Sequence, residues 1–255
     1  MDKFVALYDI HWGFERRSGH LVPTHDPKAV DVAMQFVEDF KPDHVIIGGD
    51  ALDCRAISHH THGKPGQVEG LRLISDAKGL RDTVIKPVEK IAKKSLTYIT
   101  GNHEDWLNDL IDDYPALEGV VNIEAILSLG KKWKVVPVGG FHQLHKITFI
   151  HGNQIRGGEN PAKNAVAAYE RNIRLGHFHT YQTFTKTSAV DMNGHTGVCV
   201  PCLCKKAPLY GGGAPNKWMQ GFSYGYTDCA GGTFNDYTAV IVNGHVTING
   251  RTYNG

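Results

Sequence analysis

The chain has 255 residues, 41% hydrophobic and 21% charged, values that place it among globular proteins and exclude a disordered or disulfide-scaffold polypeptide. A single domain of this length buries roughly 70 to 75% of its unfolded surface, so a sizeable core is available. With 27 Lys and Arg against 26 Asp and Glu, the formal net charge of +1 gives no bulk attraction to nucleic acid or membrane, and a polyanionic substrate must be held locally.

KFVALYD reads as a buried strand because its apolar residues run without interruption and the polar group arrives only at Asp9. DPKAVDVAMQFVEDF (26 to 40) predicts a helix with Asp26 as N-cap, Pro27 at the first position and an apolar face of Val30, Ala33, Met34 and Val37. DHVIIGGD repeats the strand pattern and ends at Asp50, and the polar segment 54 to 68 reads as a surface loop over that strand end. A long helix is predicted from Glu69 to Lys94, bent near Pro87. SLTYITGN is a third apolar run ending in a polar group, and Asp105 to Leu129 reads as helix interrupted at Pro115.

KWKVVPVGGFHQL and HKITFIHGN follow as shorter strands, the second ending at His151. NPAKNAVAAYERN (160 to 172) predicts an amphipathic helix capped by Asn160, and IRLGHFHTYQTF carries the next strand into His177 and His179. The rest, from Thr185 to Gly255, reads as β-rich with glycine turns. The class is α/β with a mainly parallel sheet, an architecture that binds ligands beyond the carboxyl ends of its strands. Without a linker or repeat, residues 1 to 255 read as a single domain.

The chain lacks a run of ~20 apolar residues and a cleavable leader, so no membrane association and a cytoplasmic location are expected. Five cysteines, an odd number without framework spacing, agree with a reducing compartment.

The polar residues that close the apolar runs are Asp9 and His11, Asp50, Asn102 and His103, His151, then His177 and His179. Each falls where its strand meets the same sheet edge, so sequence order becomes spatial convergence. With His103 set aside, two carboxylates, four imidazoles and one amide suffice for two divalent cations if one carboxylate bridges. The mixed nitrogen and oxygen set suits transition metals, manganese first and iron, zinc, nickel or cobalt as alternatives, over magnesium or calcium. Two dications against two carboxylates leave an excess of positive charge that favours a phosphate ligand.

The blocks YDIH, GGDALD, GNHE, IHG and GHFH, in that order over residues 9 to 179, resemble the calcineurin-like dinuclear metallophosphoesterase superfamily. The resemblance implies a four-layer α/β/β/α sandwich with mixed sheets and a metal site at the strands' carboxyl ends. It implies Asp9, His11 and His179 on one metal, Asn102, His151 and His177 on the other, and Asp50 as the bridge. His103 would then face the substrate, stabilise developing charge and protonate the leaving oxygen during in-line attack by a metal-bound hydroxide. Glu104 reads as orienting His103 or capping the following helix, and Asp53 as a loop-capping or ligand-orienting residue. Arg55, Arg156 and Tyr181, close to ligand positions, are candidate substrate contacts.

His59, His60 and His62 read as a solvated loop, and Cys199, Cys202 and Cys204 as reduced strand cysteines, although Cys229 could supply a further thiolate to a zinc site. GNHEDW and GDALDCR depart from the arginine-bearing blocks of serine/threonine protein phosphatases. Only 76 residues follow His179, too few for the DNA-gripping cap of the repair nucleases. The tail PLYGGGAPNKWMQGFSYGYTD is similar to small uncapped phage and bacterial members with repair-exonuclease-like character. The expected activity is a phosphodiesterase acting on a nucleotide or nucleic-acid end. A small-molecule phosphomonoesterase is the alternative within the class, and a non-catalytic scaffold the alternative outside it.

Overall fold

The computed structural model describes residues 1–190, 194–207, 216–228, 230 and 232–255. Its elements in chain order are β1 (Asp2–Leu7), β2 (Phe14–Arg17), β3 (His20–Pro23), α1 (Pro27–Phe40), β4 (His44–Ile47), α2 (Pro65–Val68), α3 (Leu73–Leu80), α4 (Lys86–Ile91), β5 (Ser95–Ile99), α5 (Asn102–Asp113) and α6 (Ile123–Ile126). There follow β6 (Trp133–Val136), β7 (His142–Leu144), β8 (Ile147–Ile150), α7 (Pro161–Tyr169), β9 (Asn172–Leu175), β10 (Gln182–Lys186), β11 (His195–Cys199), β12 (Gln220–Thr227), β13 (Phe234–Ile241), β14 (His245–Ile248) and β15 (Arg251–Asn254).

The unbroken apolar character of β1 is explained by burial on both faces. Phe4, Ala6 and Tyr8 point into one core with Leu144, Ile147 and Phe149, while Val5 and Leu7 point into another with Val30, Ala33 and Val37 of α1. The first core lies between a six-stranded sheet, ordered β13-β12-β1-β4-β5-β6, and a five-stranded sheet, ordered β10-β11-β9-β8-β7. A third core, with Ala162, Ala165 and Val166 against Ile150, Ile173 and Leu175, joins α7 to the outer face of the smaller sheet. Helices, sheet, sheet and helix therefore stack in four layers.

Both sheets are mixed. Strands β1, β4, β5 and β6 run parallel, whereas β12 pairs antiparallel with β1 and with β13. In the smaller sheet β8, β9 and β11 are parallel and β7 and β10 are antiparallel edges. The parallel strands of the two sheets deliver their carboxyl ends to one rim.

Helix α1 starts on the Asp26 cap, whose carboxylate accepts from the Lys28 and Ala29 N–H groups. The stretch 69 to 94 is not one helix. It begins at Leu73 and widens to a π turn at Arg81–Ile85, where the Lys86 N–H donates to the Arg81 carbonyl five residues back, before α4 continues. Pro87, which has no N–H to give to the preceding turn, follows directly, so the irregularity falls where helical hydrogen bonding is weakest. The stretch 105 to 129 likewise breaks into α5, a short 3-10 turn at Pro115–Leu117 and α6. KWKVVPVGGFHQL divides at Pro137, sending β6 to the larger sheet and β7 to the smaller one. Among the described residues no helix is long and apolar enough to cross a membrane.

Candidate metal centre

Each predicted donor lies just past a strand of this common rim: Asp9 and His11 after β1, Asp50 after β4, Asn102 at the start of α5 after β5, His151 after β8, and His177 and His179 after β9. The structure brings all of them together. His11 Nε2 lies 3.2 Å from His179 Nε2 and 3.8 Å from Asp50 Oδ2, and His179 Nε2 lies 3.4 Å from Asp9 Oδ1. On the other side of Asp50, His151 Nε2 lies 3.2 Å from Asp50 Oδ2 and 3.1 Å from Asn102 Oδ1. Four groups of donors each lie within 4.8 Å, namely Asp9, His11 and Asp50; Asp50, His151 and His177; His11, His179 and Cys204; and His11, Asp53 and His103, the first two sharing Asp50. Nitrogen and oxygen ligands about 2.1 Å from one cation sit about 3.0 to 3.4 Å from each other, so this spacing fits a dinuclear centre with Asp50 in common.

The backbone at the rim is strained to achieve this. Asp9, His11, Asp50, His177 and His179 all have φ between 48° and 66°, a left-handed conformation that costs a non-glycine residue of order 1 kcal/mol or more. Two glycines make the approach possible. A Cβ on Gly101 would run into the Asp50 carboxylate, and one on Gly49, whose φ is +99°, would run into the His151 ring.

Second partners fix the ring orientations. The Gly48 carbonyl can only accept, so His151 Nδ1–H donates to it at 3.2 Å and Nε2 is left facing the centre. His11 Nδ1–H donates to Asp53 Oδ1 at 3.1 Å, with the same consequence for its Nε2. The Sγ of Cys204 lies 3.7 Å from His179 Nδ1, and burial raises that thiol's pKa well above its usual value. His103 donates from Nδ1 to the Asp53 carbonyl at 2.9 Å, with Asp53 Oδ1 at 3.2 Å, and packs against Trp106 at 4.2 Å between ring centres, the two planes tilted by 35°. Its Nε2 stands 4.0 Å from Asp50 Oδ2, at the edge of the cluster.

Glu104 is buried and does not enter the cluster. Its carboxylate accepts from the N–H groups of Asp50, Ala51, Leu52 and Gly101 and from the Tyr98 hydroxyl, at 2.7 to 3.0 Å. It thus ties the loop after β4 to the start of α5, while Asp53 orients His103.

Burial alone would raise the Asp50 pKa, but the imidazoles of His151, His103 and His11 more than offset it and hold the carboxyl well below the usual range. Asp9 is lowered in the same way, against burial, by His179 and His151. His151 is pushed up to about 9 and His103 to about 10, both against burial, by Asp50 and, for His103, by the hydrogen bond to Asp53. His177 is pushed down to about 4 by burial and by the charge of His151.

Beside the cluster opens a cleft of about 670 Å³ whose walls include Arg16, Arg55, His60, Lys64, His103 and Trp106. Of the loop histidines, His60 lines this cleft, while His59 and His62 line a neighbouring depression with Asp109 and Asp113. Arg156 and Tyr181 are exposed and do not contribute to its walls. Cys199 and Cys202 are buried and reduced. Cys229 and residues 208–215 of the tail lie outside the described residues. Sequence reasoning missed the cleft role of Trp106, the aromatic contact of Trp218 with His179 at 4.1 Å, and the place of Cys204 beside His179. Only Trp106 had a signal, its nearness to His103 along α5.

The model of the calcineurin-like phosphoesterase family matches residues 3–199. Among solved structures, the chain is similar to Vps29 of Chaetomium thermophilum, with 10% identity, 100% of this chain and 99% of that one covered, and a TM-score of 0.47. It is similar to a dimetal phosphatase from Danio rerio, with 11% identity, 88% and 92% covered, and a TM-score of 0.43. It is also similar to the phosphoesterase YfcE of E. coli, with 12% identity, 92% and 98% covered, and a TM-score of 0.39. Among curated proteins no significant match was found. The chain belongs to the calcineurin-like phosphoesterase family and is a metal-dependent hydrolase of phosphoric esters.

Proposed function

We propose that this calcineurin-like phosphoesterase is a phosphodiesterase acting on a nucleotide or a nucleic-acid end. The observation that carries the reading is the cleft, where Trp106 and the cations of Arg16, Arg55 and Lys64 stand beside the donor cluster. A chain with a net charge of +1 has no general attraction for polyanions, yet here it concentrates positive charge at one place. Phosphates are drawn to Arg and Lys.

In this reading Asp9, His11 and His179 hold one divalent cation, Asn102, His151 and His177 hold a second, and Asp50 is shared. Manganese is the proposed metal, with iron, zinc, nickel and cobalt as alternatives. When bound, the two cations supply Lewis acidity to the phosphoryl oxygens and activate water for in-line displacement. Asn102 contributes a neutral oxygen, so the donor set keeps an excess of positive charge for the phosphate. His103, anchored through Nδ1–H to Asp53, carries its other proton on Nε2 toward the cleft and gives it to the leaving oxygen. Trp106 against its ring limits reorientation. Residues 1–255 form one unit in this account, which the pairing of β12 with β1 supports.

The test is hydrolysis of a dinucleoside monophosphate against a nucleoside 5′-monophosphate by the manganese-loaded protein. Cleavage of the diester with the monoester left intact is expected. The reverse preference overturns the phosphodiesterase reading in favour of a phosphomonoesterase.

A further inference from the structure

The cleft holds a cation that the fold itself does not use. The Nε of Arg55 is buried without a hydrogen-bond partner, and among the described residues its guanidinium forms no ion pair. Two other guanidinium groups that the fold buries wholly or in part are matched. Arg174, fully buried, meets Asp236 through Nη2 at 2.8 Å and also bonds the Ile173 and Thr196 carbonyls, and Arg81 meets Glu89 at 3.3 Å. An unpaired, partly buried guanidinium costs desolvation energy without return, unless a ligand supplies the anion.

Lys64 lines the same cleft, and among the described residues its Nζ bonds the His60 carbonyl alone, at 3.1 Å. Arg16 lies on the cleft wall, held by the exposed Glu69 at 3.1 Å. The single carboxylate on the walls among the described residues, Asp53, is turned toward His11 and His103. The cleft is also far larger than one phosphoryl group, within the roughly 300 to 1,000 Å³ of small-molecule sites.

We propose that Arg55, with Lys64 and Arg16, forms an anion subsite that takes a second phosphate of the same substrate, beside the phosphate undergoing hydrolysis. This rests on the phosphodiesterase reading and narrows its substrate to phosphodiesters that carry a neighbouring phosphate. Such a phosphate comes either from the next nucleotide of a strand or from a polyphosphate chain. A planar guanidinium suits it because two parallel N–H groups can meet two phosphate oxygens.

The experiment compares thymidine 5′-(p-nitrophenyl phosphate) with and without a 3′-phosphate, using the manganese-loaded full chain. A wild-type ratio of kcat/KM of about 10 to 100 in favour of the phosphorylated compound is expected for a charge-assisted hydrogen bond. Arg55→Gln and, separately, the surface change Lys64→Gln should bring that ratio toward one. Because the readout is a ratio on one protein, altered metal loading does not imitate the result. Competition by a 3′-phosphorylated dinucleotide and by a nucleoside triphosphate separates the strand from the polyphosphate. A wild-type ratio near one, or a ratio unchanged in both variants, overturns the subsite while leaving the phosphodiesterase reading intact. If neither ester is turned over, that reading fails, and binding of imidodiphosphate against phosphate decides the subsite. Tighter imidodiphosphate binding that is lost in Arg55→Gln supports it, and equal binding overturns it.

Discussion

Replacing Asp53 with asparagine should separate metal holding from proton transfer. The carboxylate lies 3.1 Å from His11 Nδ1 and 3.2 Å from His103 Nδ1, and it is held ionised, against its burial, by those two rings. Both rings meet the same oxygen, Oδ1, so asparagine keeps the shape and that acceptor but replaces the charge-assisted contacts with weaker neutral ones. Partners of this kind are worth roughly 10 to 100-fold in metal affinity or activity, equivalent to about 1.4 to 2.7 kcal/mol. The His11 contact predicts weaker manganese binding by that factor, measured by titrating chelator-stripped protein. The His103 contact predicts a fall in kcat that persists at saturating manganese. Since that second effect acts through His103, Asp53→Asn should lower kcat little further in a His103→Ala background. Manganese affinity and kcat both within twofold of wild type would refute the reasoning.

His103→Ala should lower kcat by roughly 10² to 10⁴ with metal content unchanged, and more for alkoxide than for p-nitrophenolate leaving groups, because a poor leaving group needs the proton more. Equal losses for both leaving groups would remove it from the acid role. Gly101→Ala drives a methyl into the Asp50 carboxylate, and a loss of about 1 to 3 kcal/mol, or roughly 2 to 12 °C in Tm, is expected from thermal melting. Asp236→Ala leaves the buried Arg174 guanidinium without its counter-ion and should cost about 3 to 5 kcal/mol in urea unfolding. Asp76 is buried and its carboxyl is pushed up to about 7 by that burial and by Asp53. Its folded pKa exceeds the unfolded value, so its contribution is fully present below the unfolded pKa and is lost as pH rises through 7. Asp76→Asn should therefore remove part of the stability loss between pH 5 and pH 8, and an unchanged pH slope would contradict this.

Much of the rim could be read from the sequence because β1, β4, β5, β8 and β9 each end an apolar run with a polar group in the next few residues. In a sheet buried on both faces, that position is where the chain first reaches the crevice. Helix α1 was equally legible from Asp26 and Pro27, whose capping geometry is local. The long helix before β5 was not, since the π turn at Arg81–Ile85 answers to packing that periodicity does not encode. Nor was the passage of the chain between sheets at Pro137, where two short strands read alike. Within the site, Asp53 and Arg55 were picked out by nearness to Asp50, but their roles depend on how residues 54 to 68 fold over α5. Cys204 meets His179 only through tertiary packing, and nothing in its spacing distinguishes it from Cys199 or Cys202.

The most direct test of the account is steady-state hydrolysis of bis(p-nitrophenyl) phosphate by chelator-stripped protein, followed as manganese is added back. The account predicts no turnover without metal, activity that rises until two equivalents are bound, and no recovery in Asp50→Asn, where the shared carboxylate is gone. Turnover that survives metal removal, or none with any divalent transition metal, would contradict it.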